Sequence, residues 1–478
     1  MDSKNRFAFV ACVVALFLLV FALRATHKLP PSSFKAFYCA GQAVLDGRDP
    51  YVVEPLRTCE RIVAPGALPA YAVEPAPLPG YAIGPFVVAA LAPPDLARDV
   101  YFVVLIAALA VTATMLARLA PLPAVAVLLA LLATWFLNLS YGEPPPITTA
   151  CIVLAALMLQ RNRPWVAAVA AGGLALEPHL AAPLWLALAL FAPRTRLPLL
   201  VVGCALIALD AAIGGPHAAV EYFVRTLPAQ ALSEVSAADQ FSLTHVAVVA
   251  GASVPLALRL GFISYAVMAV LGILVARRLS LKGAAPEYLA LVPPAFILVG
   301  GTYLHDIQFY SALPLALVLL ARAPRPSFGL AAATVLLAVP WVEASSRLML
   351  VLSATSVFAI GWIALPKRPW RIAACAGAAI IAVALVIAIG RLPAVKRGTI
   401  AAIPSAATAL RDDDQAPLAW SIYLGNNPIL TSASPRSLIR MVPTWGGALL
   451  LVFCSLALAG RARTLAPPEP LAAGRSAS

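Results

Sequence analysis

Apolar runs close to the length needed to cross a bilayer recur along the whole of this 478-residue chain. A helix needs about 20 apolar residues, within a range of about 17 to 25, to span the hydrocarbon core. Such runs cover 7–26, 100–118, 122–140, 146–160, 197–214, 257–276, 284–302, 306–321, 327–343, 347–365, 371–390 and 442–460. Hydrophobic residues make up 62% of the chain and charged residues 12%, against about a quarter charged in soluble domains. That is too little charge to cover a water-facing surface. A soluble enzyme, a disordered protein and a disulfide-rich secreted module are excluded, and an all-α polytopic membrane protein is predicted.

Two runs depart from the simple pattern. The stretch 164–192 is too long for one span and carries Glu177-Pro178-His179 at its centre. A proline and two ionisable groups do not belong at mid-bilayer, so two short helices meeting near one membrane face are expected. The stretch 80–97 is apolar, short and proline-rich, and reads as re-entrant or interfacial. At the N-terminus, Lys4 and Arg6 precede an apolar run from Phe7 to Leu23, as in a signal peptide, but no small-residue cleavage site follows. An uncleaved first span is expected.

Charge placement gives an orientation. Basic residues recur at Arg118, Arg161 and Arg163, Arg194 and Arg196, Arg277 and Arg278, Arg322 and Arg325, Lys367 and Arg368, and Arg461 and Arg463. With 164–192 as a hairpin, these groups fall on alternate membrane faces. By the positive-inside rule both termini are cytoplasmic, with about 14 crossings. The net charge of +13 is thereby explained without nucleic acid as a partner; no basic stripe with interleaved aromatics is present. Most acids, and His179, His245 and His305, fall on the outer side. Ionisable groups near membrane depth are costly and mark function, so an active site would face outward from the inner (cytoplasmic) membrane.

The expected organisation is a transmembrane core over 1–345 with outer loops at 27–80 and 215–255. A C-terminal transmembrane region follows over 346–460 with an outer loop at 391–441, then a disordered cytoplasmic tail at 461–478. Cys39 and Cys59 share the first outer loop, where an oxidising compartment favours a disulfide. Asp412-Asp413-Asp414 contains a formal Asp-x-Asp, but lies outside, where nucleotide sugars are absent; it reads as a solvated run. No internal repeat is visible, which weakens a transporter reading.

Five local patterns follow one another in order. They are Phe34-Lys35-Ala36-Phe37-Tyr38-Cys39-Ala40-Gly41 with Asp46 to Tyr51; Asn138-Leu139-Ser140-Tyr141-Gly142-Glu143; Gly173 to Pro178; Gln240-Phe241-Ser242-Leu243; and His305-Asp306-Ile307-Gln308-Phe309-Tyr310. Together they resemble the polyprenyl-phosphate-mannose-dependent mannosyltransferases of glycosyltransferase family 87. The resemblance covers about 34–310. It implies a C-type glycosyltransferase architecture, a polyprenyl-phosphate sugar as donor, no nucleotide sugar, inversion at the sugar, and an acid in the first outer loop as general base. It brings no cofactor and no metal-ligand set, and leaves a divalent metal open. Its partners are the lipid bilayer, the lipid-linked sugar and a glycan or glycolipid acceptor. The chain departs from the family at Ser33, where the first-loop acid would align, at Glu143 in place of Gln, and at Glu177 in place of Lys.

Glycosyl transfer needs a base for the acceptor hydroxyl and cationic or hydrogen-bonding groups for the departing phosphate. The candidate bases are Asp49, Glu143 and Asp46. Asp46 and Asp49 stand beside Gly47 and Pro50, where turn chemistry alone accounts for an aspartate. Candidates for donor phosphate or sugar are His305, Asp306, Glu177, His179, Lys35 and Gln240. The reading is a membrane transferase of a hexose, mannose by the resemblance. Its rivals are a transporter or flippase of a lipid-linked or anionic solute, for which Asp210 and Asp306 near membrane depth speak, and a catalytically inactive relative.

Overall fold

A computed structural model describes residues 3–26, 32–64, 73–215, 218–236, 240–283, 285–323, 327–341, 346–365, 369–390 and 435–460. The outer loop expected at 391–441, except for its last residues, lies outside these, as do the Asp412–Asp414 run and the tail 461–478. Among the described residues the regular elements are all helical; the β contact is an isolated bridge between Gln240 and His305. This is the expected answer to a solvent that offers the backbone no hydrogen bonds.

Helix α1 (Ser3–Ala25) leads to a connection holding α2 (Ser32–Leu45), α3 (Val53–Val63) and α4 (Gly80–Ala89). Next come α5 (Pro94–Leu119), α6 (Ala124–Tyr141) and α7 (Pro145–Gln160). The 164–192 run divides at its Glu-Pro-His centre into α8 (Pro164–Gly173), a 3-10 turn at Leu174–Leu176, and α9 (Pro178–Phe191). Trp185 Nε1 donates to the Ala171 carbonyl at 2.8 Å, so the two legs fold back on one another. After α10 (Arg196–Gly214), a second long connection carries α11 (Ala218–Glu221), a π-helical turn at Tyr222–Thr226, α12 (Leu227–Ser233) and α13 (Leu243–Val249). The remainder comprises α14 (Val254–Gly283), α15 (Tyr288–Ile297), α16 (Leu313–Arg322), α17 (Phe328–Ala338), α18 (Arg347–Ala364), α19 (Arg371–Gly390) and α20 (Pro435–Gly460).

Eight of these helices (α1, α5, α6, α10, α14, α18, α19 and α20) are long and apolar enough to cross a membrane. The chain is a multi-pass membrane protein. Three expected spans come out differently; of these, 327–343 is helical over Phe328–Ala338 among the described residues. The run 306–321 is a 3-10 stretch over Asp306–Ala312 followed by α16. The Gln308 side chain accepts the His305 N–H at 3.0 Å, which tightens the first turn, and Pro314 then sits in the first turn of α16. The run 284–302 is helical over Tyr288–Ile297 only; Pro293 and Pro294 remove two amide donors there.

Close packing at the ends sets the frame for the site. Helix α2 lies against α4 at Gly41, where a Cβ would stand 2.3 Å from the Phe86 carbonyl oxygen. Asp210 of α10 is buried and accepts the Tyr81 N–H at 2.9 Å. It places an anion at the positive end of α4, which is a structural use of the acid. At the opposite end of the bundle, Arg322 meets Glu287 at 2.6 Å and donates to the Leu119 carbonyl at 2.8 Å, tying α16 to α15 and α5. Arg194 donates to Asn162 Oδ1 at 2.8 Å, which brings both ends of the α8–α9 hairpin together.

Candidate active site

Polar side chains converge at the end of α6 remote from Leu119. Helix α6 stops at Gly142, whose φ of 75° is left-handed and costs a glycine little. A Cβ at Gly142 would stand 3.2 Å from the Phe34 backbone nitrogen, so only glycine lets this turn rest on the first turn of α2. The next residue, Glu143, is thereby brought beside the first turn of α2, which carries Ser33. The residue as a whole is partly exposed. Burial pushes it up to about 7; the Ser33 hydrogen bond and nearby His305 pull it down, while Glu74 and Glu177 push it further up.

Glu74 belongs to an extended segment at 73–79 with prolines at 75, 77 and 79. Two tyrosines hold that segment: Tyr51 donates to the Leu78 carbonyl at 2.8 Å and Tyr222 to the Pro77 carbonyl at 3.1 Å. The Glu74 carboxylate pairs with buried Lys35 Nζ at 3.0 Å. Its N–H donates to the Glu60 carboxylate at 3.0 Å. Burial raises Glu74, with Lys35 opposing. Burial and the Glu74 charge push Glu60 up to about 8 against Lys35. The Cys39–Cys59 disulfide is formed, with a Cα–Cα distance of 5.7 Å. It fastens α3, and with it Glu60, to the helix that carries Ser33 and Lys35.

The second connection and the segment before α16 close the other side. Phe241 N–H donates to the Leu304 carbonyl at 2.6 Å, and Leu304 N–H to Gln240 Oε1 at 2.9 Å. This pins Gln240 to His305. Glu234 Oε2 lies 2.8 Å from His305 Nε2 and accepts from Gln240 Nε2 at 2.6 Å. At the hairpin tip, Gln308 Nε2 lies 3.0 Å from Glu177 Oε1 and 2.9 Å from His179 Nε2. Thr148 donates to the second Glu177 oxygen. The Tyr303 ring stands between the imidazoles of His179 and His305, at centroid distances of 6.3 and 5.1 Å.

The arrangement gathers Glu60, Glu74, Glu143, Glu177 and Glu234 around one lysine and two imidazoles. Carboxylates in that excess can accept protons and bind hydroxyls; Lys35 and a protonated His305 can face an anion. Among the described residues, no group of three or more His, Cys, Asp or Glu side chains is placed to hold a metal ion.

The sequence model of glycosyltransferase family 87 matches residues 79–302. Over that stretch the chain is similar to the family. A search of curated proteins finds no match. The similarity supports a membrane glycosyltransferase in general. The matched stretch contains Glu143, Glu177, His179, Glu234 and Gln240, whereas Ser33, Lys35, Glu60 and Glu74 precede it and His305 and Gln308 follow it.

Glu143, Glu177, His179, His305, Lys35 and Gln240 thus stand together, as candidates drawn from five separate stretches of sequence. Asp46 and Asp49 do not join them. Ser33 is at the start of α2 and Asp46 follows its end, about 18 Å away at about 1.5 Å per residue. Asp46 is exposed and accepts from Gln42 Nε2 at 3.1 Å; exposed Asp49 accepts the Tyr51 N–H at 2.8 Å, as a turn aspartate does. Asp306 faces elsewhere: it lines a small pocket with Asn138, Phe241, Ile307, Trp341 and Thr444. Sequence reasoning did not select Glu60, Glu74, Glu234, Gln308 or Thr148. No local signal marks Glu74 or Glu234: Glu54 and Glu221 have a valine neighbour in the same loops and pair with Arg57 and Arg225 instead.

Proposed function

We propose that the protein transfers a hexose, mannose by the family resemblance, from a polyprenyl-phosphate sugar to a glycan or glycolipid acceptor. Transfer takes place on the outer face of the inner (cytoplasmic) membrane, in a C-type glycosyltransferase architecture with both termini cytoplasmic and about 14 crossings. One observation carries the reading: Glu143, partly exposed at the end of α6, stands with the Lys35–Glu74 and His305–Glu234 pairs and the Glu177–Gln308–His179 group at one end of the bundle, and burial pushes its carboxyl up to about 7. A base with that affinity is half ionised near neutrality yet holds a proton well enough to take one.

In this reading Glu143 removes the proton of the acceptor hydroxyl. The acceptor oxygen bonds to the sugar C1 as the C1–O bond to phosphate breaks, with inversion. The electron pair leaves with the polyprenyl phosphate, whose charge Lys35 and the His305–Glu234 pair face. Glu177 and His179, braced by Gln308, meet sugar hydroxyls. Asp210, an acid that the transporter reading places at membrane depth, caps α4 and so lends that reading no support.

The test is transfer of radiolabelled sugar in proteoliposomes from polyprenyl-phosphate mannose, with polyprenyl-phosphate glucose in parallel, to cell-envelope extract. Wild type should transfer from one donor, and Glu143→Gln should lose about 10²–10⁴-fold. Absence of transfer from both donors by folded protein would overturn the proposal, and passage of the intact donor across the bilayer would replace it with a flippase.

A further inference from the structure

Two glutamines repeat one pattern on consecutive amides of the segment before α16. The Leu304 N–H lies 2.9 Å from Gln240 Oε1, and the His305 N–H lies 3.0 Å from Gln308 Oε1. A backbone N–H can only donate, so the side-chain atom it meets must be the amide oxygen. The other end of each glutamine is then its NH2 group, and each NH2 group reaches a glutamate and a histidine. Gln308 Nε2 lies 3.0 Å from Glu177 Oε1 and 2.9 Å from His179 Nε2. A donor at that distance requires a ring nitrogen without a proton, since two N–H groups do not bond one another. The proton of His179 is therefore on Nδ1, and the ring is neutral. Gln240 Nε2 donates instead to Glu234 Oε2, at a length of 2.6 Å that suits a charged acceptor. It stands 3.5 Å from His305 Nε2, too far for a good bond. His305 Nε2 is 2.8 Å from the same Glu234 oxygen. A carboxylate only accepts, so His305 supplies the proton from Nε2.

We propose that Gln308 and Gln240 are positioning residues that give the two imidazoles of the site opposite states. His179 is held neutral with its proton on Nδ1; His305 is held protonated on Nε2 and able to become the cation. The inference rests on the reading of the site as that of a glycosyltransferase and deepens it. A sugar phosphate presents neutral hydroxyls beside an anion; a neutral ring suits the first and a cation the second. The difference is built from what lies between acid and ring. The Gln308 amide stands between Glu177 and His179, and Thr148 takes the other Glu177 oxygen. Nothing stands between Glu234 and His305, which touch directly. A carboxylate in contact favours the imidazolium. Gln240, Gln308, Glu177 and Glu234 are all buried, so each bond is made in a medium where its loss is costly. The Tyr303 ring separates the two imidazoles. The remaining charged neighbours are Glu143, near His305, and each imidazole for the other.

The test is nitrogen NMR of the histidine side chains, on full-length protein in nanodiscs with isotope-labelled histidine. The signals of the two rings are those lost in His179→Gln and His305→Gln. Nitrogen shifts separate bare, protonated and imidazolium atoms, and no substrate is needed. At neutral pH wild-type His179 should show a bare Nε2 and a protonated Nδ1, and His305 a protonated Nε2. His305 should titrate at least about one pH unit above His179. Gln308→Glu takes the donor away from His179 Nε2 and sets an acid beside it, so the His179 midpoint should rise by about one pH unit or more. Gln308→Leu should release the ring to a mixture of its two neutral forms. Glu234→Gln should lower the His305 midpoint by about one pH unit. In transfer assays Gln308→Glu should raise KM for the lipid-linked sugar about tenfold, the size of one hydrogen bond, with kcat changed less than about threefold. Wild-type His179 protonated on Nε2, or wild-type His305 bare there, overturns the inference with no variant needed. So does a His179 state unchanged in folded Gln308→Glu. A KM that stays put while the ring changes state overturns the ring's place in donor binding. Wild type that transfers no sugar while both rings hold the stated forms overturns the functional reading and leaves the assignment of the two rings standing.

Discussion

At one end of the bundle Glu287 is fully buried and meets a single buried arginine, Arg322, at 2.6 Å. At the other end Glu74 meets Lys35 at 3.0 Å, but Glu60, Glu143, Glu177 and Glu234 crowd close by. Both regions bury carboxylates, and both do so at a desolvation cost. The first matches one anion with one cation, and Arg322 also reaches Tyr288 and the Leu119 carbonyl. Such a pair is a fastener between helices. The second leaves negative groups in excess of fixed positive ones; burial first, and the neighbouring carboxylates after it, raise the proton affinities of Glu60 and Glu143. A balanced pair holds a fold; an unbalanced cluster is ready to exchange protons and to bind.

If that contrast is right, equivalent amide substitutions at the two ends should fail differently. Glu143→Gln should remove about 10²–10⁴-fold of kcat/KM with little change in thermal unfolding. Glu287→Gln should do the reverse. Leaving Arg322 buried without its anion should cost about 3–5 kcal/mol of stability, read by denaturation in detergent, while the folded fraction keeps its specific activity. Activity loss at Glu287 without unfolding would break the contrast.

The disulfide sharpens it. Cys39→Ser/Cys59→Ser removes a cross-link closing about 20 residues, worth roughly 3 kcal/mol, and frees Glu60 from α2. Protease sensitivity should rise in the first connection and leave the Glu287–Arg322 end unchanged. A pH series separates the ends again. The folded state holds the Glu60 proton up to about 8, against about 4.3 for an unperturbed glutamate. The folded state then binds more protons than the unfolded one, so this contribution is fully present below the unfolded value and is lost as pH rises through the folded one. Unfolding temperature should fall across that window in wild type and less steeply in Glu60→Gln. The smallest effect is expected at Asp49→Asn, within about threefold of wild-type activity, because an exposed turn aspartate keeps most of its bonding as asparagine. A large loss there would return the base to the first-loop aspartates.

Much of the fold was legible because hydropathy and proline act locally. The break at Glu177-Pro178-His179 could be read from the cost of a proline and two ionisable groups at mid-span, and α8 and α9 meet there. The run 306–321 was not legible, since its hydropathy matches a span. What divides it is a side-chain bond from Gln308 to its own backbone, which hydropathy does not record. In the candidate site, His305 and Glu143 stood out as ionisable residues at the ends of apolar runs. Glu74 and Glu234 did not, because their importance comes from Lys35 and His305, partners 39 and 71 positions away by the numbering of the two ion pairs.

The sequence by itself determined that the chain lives in a bilayer, where most of its long helices lie, and that Cys39 could meet Cys59. These follow from transfer free energy and from chemistry within a short stretch. The tertiary structure decided which acids share a space. Asp49 and Glu143 were equal candidates on paper; the close approach allowed by Gly142 sets Glu143 beside the first turn of α2, while the length of α2 carries Asp46 and Asp49 away. A carboxyl's proton affinity depends on burial and on charges a few ångströms off, and those neighbours come from helices far apart in the chain.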